Sequence, residues 1–101
     1  MAVFMIRYDV AEEGVAEVID AVKQTFAALD EHRPEGIRYA YLRQSGGTEF
    51  VGLLELEEGV ENPLPGIEAA RRLQATVAAH AKGAAPTPQA YDVLGSWRML
   101  G

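Results

Sequence analysis

Four apolar-alternating stretches and two helical stripes, in the order βαββαβ, predict an α+β domain of ferredoxin-like architecture, with a four-stranded antiparallel sheet and two helices on one face. Val3 to Tyr8, Ile37 to Arg43 and Glu49 to Leu56 repeat every second residue, the period of a strand with one covered face. Between them, Val15, Val18, Ile19, Val22, Phe26 and Leu29 recur at spacings of three and four, the period of a helix. With 101 residues there is room for one domain, 1–101, with a modest core.

In the first of these stretches, Phe4, Ile6 and Tyr8 share one face, and Val3, Met5 and Arg7 the other. Asp9, three residues before Glu12, suggests a capping box for the first helix, and Pro34 predicts that this helix stops near His32 or Arg33. Ile37, Tyr39 and Tyr41 oppose Arg38, Ala40 and Leu42. The run Gln44-Ser45-Gly46-Gly47-Thr48 is a hairpin connection. On the return strand Phe50, Gly52, Leu54 and Leu56 share a face.

A second helix is expected from Pro65 or Gly66, with Ile67, Ala70, Leu73, Val77 and His80 inward and Gly83 at its end. Ala84 to Ala90, with Pro86 and Pro88, reads as a stiff connector. The last strand is expected over Tyr91 to Leu100. Period two places Tyr91, Val93, Gly95, Trp97 and Met99 toward the helices and Leu94 and Leu100 outward. Gly52 and Gly95 remove side chains where a pocket can open.

Fifteen acids against nine Lys plus Arg give a net charge of −6, which argues against nucleic acid and anionic membrane surfaces. No apolar run approaches the roughly 18 residues of a membrane span and no leader pattern opens the chain, so a soluble, cytoplasmic protein is expected. With no cysteine and no H-x-x-x-H spacing, neither a metal site nor a thiol nucleophile is expected. The outward face keeps Val3, Met5, Ala40, Leu42, Val51 and Leu53 beside a few charges. A surface that apolar predicts a homodimer packed sheet to sheet.

His80, on the inner stripe near a helix end, is the candidate acid or base, with Tyr8 as its orienting partner. Tyr39, Tyr41, Tyr91 and Trp97 are candidates to line a pocket for a small aromatic ligand. The bland alternatives are a structural histidine and ordinary core aromatics.

Pro34-Glu35-Gly36-Ile37-Arg38-Tyr39, Phe50-Val51 with Glu55, and the run from Tyr91 to Arg98 resemble the dimeric α/β-barrel superfamily, and within it the antibiotic-biosynthesis-monooxygenase-like domains. The resemblance implies two sheets closing into a barrel between subunits, a ligand held between sheet and helices, and cofactor-independent oxygenation of an aromatic or polyketide-like substrate. Leu56 stands where many relatives carry tryptophan. Ala78-Ala79-His80 resembles a stretch of the haem-degrading relatives, but Arg7 and Tyr8 stand where those use asparagine; haem is not expected, nor any other cofactor. The alternative function is a non-catalytic dimeric ligand-binding or accessory protein.

Overall fold

The computed structural model describes residues 2–99. It contains β1 (Ala2–Asp9), a 3-10 turn (Glu12–Gly14), α1 (Val15–His32), β2 (Ile37–Arg43), β3 (Glu49–Leu56), a second 3-10 turn (Leu64–Gly66), α2 (Glu68–His80) and β4 (Gln89–Asp92). The sheet order is β2-β3-β1-β4, antiparallel throughout. This is the ferredoxin-like α+β arrangement. No helix among the described residues is long and apolar enough to cross a membrane.

Register decides the faces. Tyr39 pairs with Leu54 and Leu54 with Phe4, while Tyr41 pairs with Gly52 and Gly52 with Ile6; these rows face the helices. Val18 and Ala21 of α1 and Leu73 and Val77 of α2 bury against Tyr8, Val10 and Phe50 in one core. Thr25, fully buried, ties the helices together: its hydroxyl lies 2.8 Å from the Ala21 carbonyl and 3.2 Å from that of Ala69 on α2.

Arg33 ends α1 in the left-handed region at φ 46°, its N–H donating to the Leu29 carbonyl at 2.8 Å. Pro34 lies just beyond, as its restriction on the preceding residue requires. The capping box is not formed. Asp9 belongs to β1, and its carboxylate accepts the Thr48 hydroxyl and faces the Lys82 ammonium at 3.5 Å. Those two contacts hold the Asp9 carboxyl below its ordinary pKa, the hydrogen bond contributing most.

α2 begins at Glu68, after a 3-10 turn takes up Pro65 and Gly66, and it ends at His80 rather than Gly83. The reason is tertiary: Ala81 bridges to Val10, and the Lys82 N–H donates to the Asp9 carbonyl at 2.8 Å. The chain leaves the helix to extend the edge of β1.

The C-terminal expectation needs the largest correction. β4 spans four residues, and Asp92 pairs with Ala2, where β1 ends. Among the described residues the ladder stops at that pair, and the alternation beyond Asp92 continues without a sheet partner. Leu94, Trp97 and Met99 are 99%, 81% and 71% exposed, and Gly95 faces open space. Tyr91 pairs with Val3, which places it on the outer face rather than toward the helices. The expectation for Leu100 lies outside the described residues.

Candidate functional site

A cavity of about 490 Å³ opens between the inner face of the sheet and α2. Its floor is Phe4, Ile6, Tyr39, Tyr41, Gly52 and Leu54, and its roof is Ala70, Leu73, Gln74 and Val77. Asn62, Leu64, Pro65 and Arg71 border it on one side, and the strap Ala85, Pro86 and Pro88 on another. The proline-rich connector thus serves as a wall, with φ fixed by its rings and little entropy left to lose.

Gly52 sets the shape of the floor. A Cβ there would stand 2.9 Å from Cε2 of Tyr41 and 3.1 Å from Cγ1 of Ile6. Bare backbone therefore lets the Tyr41 ring lean across β3 until its hydroxyl hydrogen-bonds that of Tyr8 on β1. Tyr8 stacks on Phe50, with centroids 5.7 Å apart, and Tyr39 stacks on Phe26 of α1 at 5.2 Å. Tyr39 and Tyr41 meet edge to face at 6.1 Å. These rings are locked by neighbours.

Burial pushes the phenols of Tyr8 and Tyr39 up to about 12. Tyr41 is pushed further upward, by burial first and then by the Tyr8 hydroxyl. At neutral pH all three are protonated, so the site offers hydroxyl donors and no phenolate base. Arg71 adds a cation at the border. One of its nitrogens donates to the Pro65 carbonyl at 2.8 Å, and no carboxylate pairs with it among the described residues. Its neighbour Arg72 is instead tied to Glu68 at 2.6 Å. An apolar chamber with a few convergent donors suits a flat ligand carrying a carbonyl, enolate or phenolate oxygen.

No family model matches the chain, and no curated protein matches it in sequence. Solved structures do match in fold. An antibiotic biosynthesis monooxygenase superposes with a TM-score of 0.67 at 17% identity, over 94% of this chain and 100% of that one. A second antibiotic biosynthesis monooxygenase, so described as putative, from Nitrosomonas europaea gives 0.70 at 16% identity over 92% and 89%. SnoaB, a cofactor-independent oxygenase from Streptomyces nogalater, gives 0.67 at 14% identity over 96% of each chain. The fold is that of the antibiotic biosynthesis monooxygenases.

Within this monooxygenase-like fold, the residues singled out in the sequence divide sharply. Tyr39 and Tyr41 line the cavity, and Tyr8 reaches it through its hydroxyl bond to Tyr41. His80 lies outside the lining. Its Nε2 is 2.7 Å from the Glu17 carboxylate, and its ring covers Gly14, where a Cβ would come within 2.6 Å of Cγ. Helical spacing places His80 on the inner side of α2 but cannot say which end of the sheet it meets. Tyr91 on the outer face and the exposed Trp97 are likewise apart from the cavity.

Asn62, Arg71, Gln74 and the strap were not foreseen. Arg71 is adjacent to Arg72 in the sequence, and no local pattern separates the arginine that borders the cavity from the one paired with Glu68.

Proposed function

We propose that this protein binds a small planar aromatic or polyketide-like molecule between its sheet and α2 and oxidises it without a cofactor. The observation that carries the reading is the apolar chamber whose polar groups are the Tyr39 and Tyr41 hydroxyls and the borders at Asn62, Arg71 and Gln74. The described oxygenase among the structures of like fold supports it by analogy of fold alone.

The arrangement favours stabilising an anion over abstracting a proton, because no histidine or carboxylate lines the chamber among the described residues. An acidic CH or phenol would give its proton to a water molecule at the cavity mouth, leaving its anion against the tyrosine donors and the Arg71 charge. Its carbanion would pass an electron to molecular oxygen and then form the new C–O bond. A CH2 group becomes a carbonyl, one oxygen atom enters the product and the other leaves as water. His80, outside the chamber, takes no part. The apolar walls keep bulk water from the intermediate.

Anthrone tests the reading, since its CH2 is acidic and its product, anthraquinone, absorbs distinctively. Turnover is expected to fall at least about tenfold in Y41F and in A70F, the second filling the roof. Turnover that is equal in all three proteins would exclude this cavity as the reaction site. The missing base favours a second reading, a non-catalytic binder. Anthrone held stoichiometrically with no product would support that one.

We also infer a cytoplasmic homodimer formed through the outer sheet face. Val51, Leu53 and Met5 lie there half-buried, and Leu42 is 49% exposed. Covering such a face removes apolar area from water at about 25 cal/mol per Å². A doubled mass in native mass spectrometry is the expected result, and a monomer at all concentrations would contradict it.

A further inference from the structure

The inner stripe of α1 is only partly used by the core. Val18 and Ala21 are buried there, whereas Ile19 and Val22, one residue further round the helix, are half-buried and pack against its margin. The sheet beneath them ends at β2, its edge strand. A side pocket of about 160 Å³ opens at that place, walled by Ile19 and Val22 of α1, Tyr41 of β2 and Phe50 of β3, with the exposed Lys23 and Arg43 beside them.

Tyr41 belongs to both cavities. It lines the chamber under α2 and also this pocket, and its hydroxyl bond to Tyr8 holds the ring between them. One side chain is therefore the partition. The two spaces differ in what they admit: the chamber, at about 490 Å³, has room for a flat aromatic molecule, and the pocket, at about 160 Å³, does not. Aliphatic and aromatic walls offer water few hydrogen bonds. Small apolar gases enter cavities of that kind.

We infer that the side pocket is a dioxygen site, from which the gas passes the Tyr41 ring into the chamber. This rests on the cofactor-free oxidation proposed above and names where its second substrate enters. Size and polarity single dioxygen out, since it is the one reactant of that oxidation that is small, uncharged and apolar. Placement agrees with them. The pocket lies on the α1 side, away from α2, Arg71 and the strap, so a flat ligand that fills the chamber leaves it open. The carbanion, held against the tyrosine hydroxyls, then meets oxygen arriving at the same ring.

Xenon tests the site without any turnover, because it enters apolar cavities and does not react. Methyl-resolved NMR spectra under rising xenon pressure are expected to show saturable shifts at Ile19 and Val22, and V22F is expected to abolish those at Ile19. Shifts at neither residue, or shifts that follow protein concentration instead of xenon pressure, as a second copy seated there would give, would overturn the site. Anthrone oxidation at varied oxygen then tests the delivery. In V22F and I19F the KM for dioxygen should rise at least about fivefold, with anthrone binding, measured without oxygen, equal to that of the parent protein. V22I, which adds one methylene, should give a smaller rise and keeps the test if the larger side chains prevent folding. An oxygen KM that none of these variants changes would overturn the route and leave the chamber intact, whereas a parent protein that does not oxidise anthrone would overturn both.

Discussion

The hydroxyls of Tyr8 on β1 and Tyr41 on β2 hydrogen-bond across the intervening strand β3, and they meet there because Gly52 presents no side chain between them. Three strands thus contribute to one contact at the floor of the cavity. The pair joins the core, through the Tyr8–Phe50 stack, to the chamber wall.

Replacing Gly52 with alanine therefore forces Tyr41 or Ile6 to move. The expected loss is about 1–3 kcal/mol of unfolding free energy, the usual consequence of overpacking a tight site. Urea denaturation measures it, and a midpoint equal to that of the parent protein would contradict the role given to this glycine.

The buried phenols make stability sensitive to alkali. In the unfolded chain a tyrosine ionises near 10, whereas Tyr8 and Tyr39 in the fold ionise at about 12 and Tyr41 beyond them. The unfolded state thus loses protons first. Stability from these groups is fully present below pH 10 and declines as pH rises from about 10 to 12. Y41F is expected to flatten that decline, and denaturant midpoints collected from pH 8 to 11.5 test it.

His80 is expected to matter for stability and not for the ligand. Its ring covers Gly14 and its Nε2 contacts Glu17, joining the end of α2 to the start of α1. H80A should cost about 1 kcal/mol, since the hydrogen bond is partly exposed and the packing is local. Anthrone binding should be unchanged. A variant stable as the parent but inactive would instead restore His80 to the chemistry.

Thr25 offers a cleaner measure of helix docking. T25V keeps the shape of the side chain but removes the donor shared between the Ala21 and Ala69 carbonyls. An expected loss of about 1 kcal/mol follows from leaving a buried acceptor unsatisfied, and thermal unfolding reads it directly.

How far the sequence reaches is visible in particular residues. Ile37–Arg43 and Glu49–Leu56 have the expected bounds, because strict alternation on both sides of a glycine turn leaves one register that buries Tyr39, Tyr41 and Leu54 together. Tyr91 to Met99 alternates as well, yet among the described residues only its first two are paired, since alternation says nothing about whether a neighbouring strand lies alongside. The face of Tyr91 depended on one choice of register. His80 failed to reach the cavity for a related reason: periodicity fixes a side of a helix and leaves its position along the sheet open. Asp9 was lost as a cap because β1 runs through it, and the strap and Arg71 border the cavity through tertiary packing that no local pattern records.

The central claim is that the chamber between sheet and α2 holds a flat aromatic molecule. Equilibrium dialysis of 1,8-dihydroxyanthraquinone against the parent protein and A70F tests it most directly. One saturable site per chain is expected, weakened at least about tenfold in A70F and unchanged in W97A and H80A. Absence of saturable binding, or equal binding when the roof at Ala70 is filled, would contradict the account.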